Sequence, residues 1–247
     1  MIIKATDLTT KFGDRVIHDG LNFHVNEAEI YGLLGGSGTG KSTLMKTMIY
    51  LKEPSGGKVE MLGRDLWLLD EAARQEIKLA CSVMFQFGAL YTSMNVLENI
   101  YILLKEYSGM SERSMREIAM FWLQKVGLSE NVALQYPSEL SGGMKKRVAM
   151  ARALVLSPKI LFLDEPNSGL DPSSARAFDE LVVELRDTLG VTVVMVTHDI
   201  DSICTILDRF LILQDKKIAF EGTFEQLMQM PENPLEELLK TRKNGGK

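Results

Sequence analysis

Nine residues, Gly35-Gly36-Ser37-Gly38-Thr39-Gly40-Lys41-Ser42-Thr43, limit what this chain can fold into more than any other stretch. They fit G-x-x-x-x-G-K-[ST], the phosphate-binding P-loop pattern. The apolar run Ile30–Leu34 directly before them reads as a buried strand, and Leu44–Leu51 directly after them as a helix. The motif needs that strand–loop–helix setting. Its glycines at 35, 36, 38 and 40 allow backbone angles that a side chain would forbid. Exposed N–H groups and the helix N-terminus then form an anion cradle. On this reading Lys41 reaches the β- and γ-phosphates of a nucleotide, and the Ser42 hydroxyl ligates Mg²⁺.

The remaining pattern surrounds this unit with an α/β chain. Short strands are expected over 2–8 and 21–25, separated by a turn at Phe12-Gly13-Asp14-Arg15, and then over Lys58–Leu62 and Leu79–Phe85. From about 93 to 156 the period becomes helical, with helices over Asn95–Tyr107, Ser111–Val126 and Ser141–Leu156. Strand then returns at Lys159–Leu163 and Val191–Val196, with helices over Pro172–Leu189 and Ile200–Leu207. Arg209–Gln214 and Lys217–Glu221 read as a hairpin around Asp215-Lys216. Short amphipathic helices are expected over 223–230 and 234–241, then a frayed tail at 243–247. The 247 residues therefore make one domain: an α/β core from 1–92 and 157–221, a helical lobe at 93–156, and C-terminal helices and tail at 222–247.

Composition narrows the partners. A net charge of −5 leaves no global basic footprint, so no nucleic-acid partner is expected. Two cysteines, Cys81 and Cys204, cannot make a disulfide framework, and their apolar neighbours predict buried free thiols in a reducing compartment. The N-terminus lacks signal-peptide features, and no apolar run reaches bilayer-spanning length. The chain is expected to be cytosolic, with any membrane role supplied through a partner.

Further motifs point to hydrolysis. Ile160–Leu163 is apolar and ends in Asp164-Glu165, which places two carboxylates at the edge of a buried strand beside the P-loop. Asp164 is the candidate for the Mg²⁺ shell, and Glu165 for polarising the attacking water. Ser141 can cap a helix whose first residues are Gly142 and Gly143, which leaves N–H groups open to a second phosphate contact. Lys145, Lys146 and Arg147 read as a solvated face. His198 ends a core strand, where a catalytic role is favoured, whereas His18 and His24 have no such context. Phe12 is a candidate for stacking on a base.

In order, Gly35–Thr43, Gln86, Leu140–Met144, Ile160–Glu165, Ser168–Asp171 and His198 resemble the Walker A, Q-loop, signature, Walker B, D-loop and switch-histidine motifs of ABC transporter nucleotide-binding subunits. Phe12 matches the aromatic A-loop. The resemblance covers nearly the whole chain. It implies a P-loop NTPase core with a mixed sheet, an N-terminal antiparallel β region and an inserted helical lobe. It implies ATP and Mg²⁺ as ligands, with Gln86 joining Ser42 and Asp164 at the metal, and Lys41, Gln86, Glu165 and His198 carrying the chemistry. It adds Asp171 to the nucleotide contacts, and implies a head-to-tail homodimer closing each ATP between one P-loop and the other subunit's signature. It also implies a membrane permease docked near Gln86 and the helical lobe, and hence a place on the cytoplasmic face of the inner membrane. Met144 replaces the Gln that usually ends the signature. With Met84–Leu90 and Asn95–Asn99, it makes the chain similar to Mla/Mce-type ATPases, which energise phospholipid trafficking and imply lipid-binding accessory subunits. A small-solute importer ATPase, such as one for amino acids, and a permease-free ABC ATPase such as an iron–sulfur assembly factor are the competing readings.

Overall fold

The computed structural model describes residues 1–231 together with 234. The chain opens with a long antiparallel hairpin, β1 (Ile3–Phe12) and β2 (Arg15–Val25). Both strands outrun the expected 2–8 and 21–25. Cross-strand pairs Thr10–His18, Lys11–Val16 and Phe12–Arg15 carry the ladder past the point where apolar alternation stops. β3 (Ile30–Gly35) follows, then the P-loop and α1 (Lys41–Met48), β4 (Gly56–Met61) and β5 (Arg64–Asp65).

Next come α2 (Glu71–Ala80), β6 (Cys81–Met84), α3 (Val96–Tyr107), α4 (Glu112–Lys125) and α5 (Gly142–Leu154). The chain continues through β7 (Ile160–Asp164), α6 (Pro172–Leu189), β8 (Thr192–Val196) and α7 (Ile200–Thr205). It ends, within the described residues, with β9 (Arg209–Gln214), β10 (Lys217–Gly222) and α8 (Phe224–Met228).

Two sheets result. One is antiparallel, in the order β2-β1-β4-β5. The other runs β10-β9-β3-β8-β7-β6, parallel except for the antiparallel edge strand β10. The α/β class, the mixed sheet and the antiparallel N-terminal region are those the sequence implied. Strands β3 and β8 are buried along their whole length, as central parallel strands covered on both faces must be. One apolar cluster fills the space between the two sheets around α1, with Phe23, Tyr31, Leu44 and Phe162. A larger one joins the other face of the mixed sheet to α3, α4, α5 and α6.

Several expectations need correction. The sequence pattern does not anticipate α2 and β5: α2 buries Ile77 alone, and β5 is only two residues long. The last residues of α2, Leu79 and Ala80, lie within the strand expected over Leu79–Phe85, which runs from Cys81 to Met84. Helix α1 starts three residues earlier than the apolar pattern suggested, at Lys41. Cys204 is exposed and Cys81 only half-buried, because α7 is a short surface helix and β6 an edge strand. The basic triplet is not a solvated face. Lys146 is buried and Arg147 donates to the Val126 carbonyl at 2.6 Å. The helix expected over 234–241 and the tail at 243–247 lie, Pro234 apart, outside the described residues.

Candidate active site

The P-loop leaves the sheet at the carboxyl end of β3, which is held between β8 and β9. Gly35 and Gly36 turn their carbonyls inward, and Lys41 Nζ donates to both, at 2.8 and 2.9 Å. Gly40 caps α1 in a left-handed conformation, with φ 102°. The N–H groups of the first helical turn, Lys41 to Thr43, have no partner within the helix and face outward as an anion site.

Gly40 is fixed by more than backbone angle. A Cβ there would lie 2.4 Å from His18 Nε2 and 2.6 Å from Ile17 Cγ2. His18 is fully buried, with Nδ1 2.8 Å from Thr10 Oγ1. Its Nε2 is buried without a hydrogen-bond partner among the described residues. Burial pushes the imidazole down to about 4, partly offset by the neighbouring Gly40 backbone. The ring is therefore neutral at physiological pH and forms the floor beneath the P-loop, a position the sequence did not reveal. The β1–β2 register creates it, by pairing Thr10 with His18.

A cavity of about 750 Å³ opens over this floor. Phe12, Arg15 and Ile17 line one end, Gly35 to Ser37, Gly38 and Gly40 to Thr43 the base, and Glu165, Thr197, His198, Ile200 and Ile203 the other wall. Phe12 is 53% exposed, and Lys52 Nζ lies 4.9 Å from its ring centroid. Arg15 and Ile17 were missed by sequence reasoning. A strand register, not a motif, puts them there.

Glu165 is the hub of the far wall. Its Oε2 accepts from Gln86 Nε2 at 3.2 Å, and its Oε1 stands 3.3 Å from His198 Nδ1. Gln86 Nε2 also donates to Ser168 Oγ at 3.1 Å. Glu165 has φ 46°, a left-handed backbone that is uncommon for a side-chain-bearing residue. Asp164 does not line the cavity. Its carboxyl is pushed up by burial and by Glu165, against Lys46 and Lys41. Lys41 is pushed down by burial and supported by Glu165 and Asp164. The two acids and the lysine thus lie within one field, and an arriving triphosphate would meet the lysine's charge. Ser42, Asp164 and Gln86 offer hydroxyl, carboxylate and amide oxygens, the hard donors that Mg²⁺ favours alongside phosphate.

Not all of the expected nucleotide contacts converge. Ser141, Gly142, Gly143 and Asp171 are absent from the cavity wall, as is Thr39, whose hydroxyl is turned to the Gly36 carbonyl at 2.9 Å. Ser141 is exposed and caps α5, accepting from the Met144 N–H at 3.2 Å. Leu170 Cδ2 lies 3.7 Å from where a Cβ on Gly143 would stand, so the 141–143 and 168–171 segments adjoin. Asp171 is taken up by the N-cap of α6, accepting from Ser173 and Ser174, which hold its carboxyl well below the usual range. Lys146 Nζ instead reaches back to the carbonyls of Glu165 and Pro166.

A second groove, of about 360 Å³, runs beside β6 and is lined by Phe85, Tyr91, Leu103, Tyr107 and Arg152. Arg152 donates to the Gly88 and Ala89 carbonyls at 2.6 and 2.9 Å, fixing the loop after Gln86. Leu90 packs on the core and does not line this groove, and Phe87, 85% exposed, stands outside it.

Comparison with known proteins agrees with these features. The family model described as ABC transporter matches residues 18–168. MlaF of Haemophilus influenzae, the ATP-binding protein of an intermembrane phospholipid transport system, is 36% identical over 99% of this chain and 92% of its own length. The probable ribonucleotide transport ATP-binding protein mkl of Mycobacterium leprae is 35% identical over 98% of this chain and 70% of its own. A dimeric ATP-binding cassette in a post-hydrolysis state, bound to ADP and Pi, is similar with a TM-score of 0.80 and 30% identity, covering 90% of this chain and 98% of that one.

Proposed function

The chain belongs to the ABC transporter family and is an ATPase, and from that premise we propose that it is the motor subunit of a phospholipid transporter. The observation that carries the hydrolytic part is the position of Glu165. It lines the P-loop cavity with an amide on one carboxylate oxygen and an imidazole beside the other. In this reading the N–H groups of residues 41–43 and the Lys41 ammonium hold the β- and γ-phosphates. Phe12 offers an aromatic face to the base. Glu165 orients and deprotonates water, Gln86 fixes its carboxylate, and His198 holds the γ-phosphate side. A bound Mg²⁺, held by Ser42, Asp164 and Gln86 together with the phosphates, would neutralise charge on the triphosphate.

The Ser141-Gly142-Gly143 segment, exposed at Ser141 and Gly142 and unused by the chain's own cavity, supports a head-to-tail dimer in which it closes the site of a second copy. Its free N–H groups, cap hydroxyl and helix dipole suit a phosphate. The groove beside β6, joined to Gln86 through a short loop, suits a helix from a membrane permease. Among the described residues no helix is long and apolar enough to cross a membrane. In this reading the chain sits at the cytoplasmic face of the inner membrane through that partner, and accessory lipid-binding subunits complete the system. The phospholipid cargo is supported by the similarity to MlaF over nearly both full lengths. The similarity to mkl names ribonucleotide transport as the cargo to test against it.

Affinity purification of the full chain from membranes tests the proposal. A co-purifying multi-helix protein with bound phospholipid is the expected result. Recovery without a membrane partner would overturn the motor assignment, and a partner carrying another solute would overturn the cargo.

A further inference from the structure

Behind the hydrolytic wall lies a closed polar ring in an otherwise apolar core. Asn167, Asp179 and Ser202 are 9%, 6% and 0% exposed. Asn167 Nδ2 donates to Asp179 Oδ1 at 2.8 Å and to Ser202 Oγ at 2.9 Å, and the Ser202 hydroxyl donates to Asp179 Oδ2 at 2.7 Å. The carboxylate can only accept, so the direction of every bond is determined. Both amide hydrogens and the hydroxyl hydrogen are used, and both carboxylate oxygens are filled. The arrangement also fixes the Asn167 amide with Oδ1 buried and without a partner among the described residues, since the flipped amide would set oxygen against carboxylate. Burial pushes the Asp179 carboxyl up, and the two donors oppose that.

A buried carboxylate is a poor way to hold helices together, since well-packed apolar groups in its place are often neutral or stabilising. What the ring supplies, with its donor hydrogens and both carboxylate oxygens paired, is a single geometry. Its place in the chain says which geometry. Asn167 follows Glu165 by two residues, in a turn closed by Ser168 N–H to the Glu165 carbonyl at 3.1 Å. Ser202 lies in α7, whose N-cap Asp199 follows His198 directly. Asp179, in the middle of α6, bridges the two. A circuit therefore runs from Glu165 to Asn167, through the ring to Ser202, back along α7 to His198, and across the 3.3 Å gap to Glu165.

We propose that Asn167, Asp179 and Ser202 are positioning residues that set the separation of Glu165 and His198, and that they govern the rate of hydrolysis and leave nucleotide affinity alone. The P-loop is anchored separately, by β3, α1 and the His18 floor, so loss of the ring should leave phosphate binding intact. This inference rests on the reading of Glu165 as the residue that activates water.

The test is steady-state ATPase kinetics on the full chain carrying Ser202→Ala, Ser202→Thr or Asp179→Asn, each also placed in a Glu165→Gln background and followed there by single-turnover hydrolysis. Ser202→Ala and Asp179→Asn should lower kcat by about 10- to 100-fold, the cost of a small misplacement of catalytic groups, with KM changed less than about twofold. Ser202→Thr, which keeps the hydroxyl, should restore most of the rate. In the Glu165→Gln background the same changes should have almost no effect, because they act through that carboxylate. Equal losses in both backgrounds, or an unchanged kcat in Ser202→Ala, would overturn the brace. Full activity of Glu165→Gln alone would overturn instead the reading beneath it. If Asp179→Asn does not fold, Ser202→Ala, which removes one hydroxyl, decides the matter.

Discussion

Acid should unfold this protein partly through one buried imidazole. His18 is neutral in the fold, with its pKa pushed down to about 4, whereas in the unfolded chain it returns to 6.5. Between those values the unfolded chain binds a proton that the folded one refuses. The stability from keeping His18 neutral is therefore complete above pH 6.5 and is lost as pH falls toward 4. At about 1.4 kcal/mol per pH unit, the full loss is roughly 3 kcal/mol, of which about 2.5 has been lost by pH 4.5. That is a sizeable part of the roughly 5–15 kcal/mol that holds an ordinary domain together. Burial also pushes the Asp164 and Asp179 carboxyls up, so the measurement must be a difference. Urea unfolding of the parent chain and of His18→Gln, at pH 7.5 and 4.5, supplies it. Gln keeps an amide near the place of Nε2 and does not titrate. The parent should lose about 2.5 kcal/mol more than the variant between the two pH values. Curves parallel to within about 0.5 kcal/mol, near the error of the extrapolation, would show that the imidazole titrates normally and that the floor beneath Gly40 is open to water.

Further expectations concern the site and its partners. Lys41→Ala removes the ammonium that bridges the Gly35 and Gly36 carbonyls and should abolish hydrolysis and weaken ATP binding; normal turnover in the folded variant would refute the P-loop assignment. Glu165→Gln should still bind ATP while turnover falls by about 10²–10⁴-fold, and should accumulate as an ATP-bound dimer by size exclusion with light scattering. Adding Ser141→Arg should return that dimer to monomers, and a Glu165→Gln protein that binds ATP but stays monomeric, alone and in its permease complex, would rule out the composite site. Charged substitution at Tyr91, which lines the groove, or at the neighbouring Phe87 should release the membrane partner with nucleotide binding unchanged, as read by co-purification and by fluorescent-ATP titration. Undiminished co-purification would place docking elsewhere.

The parts of this protein whose chemistry is local are legible along the chain. A P-loop is a run of consecutive residues, and the strand before it and the helix after it announce themselves by apolar pattern. Asp164-Glu165 at the end of an apolar run and His198 after another are legible for the same reason: parallel strands end on one edge of the sheet, so residues at those ends gather there. Long-range pairing decided the rest. His18 had no visible context because its partners, Thr10 across a hairpin and Gly40 in the P-loop, become neighbours only when β1 and β2 take their register and pack on α1. Lys146 read as a solvated charge because nothing in a helix start shows that the Glu165 and Pro166 carbonyls will lie over it. Asn167, Asp179 and Ser202 are 12 and 23 residues apart along the chain, and each is an ordinary polar residue alone. Only the packing of α6 and α7 behind the site removes them from water, and once buried they must satisfy one another. Local chemistry can be read along the chain, whereas burial and register belong to the whole fold.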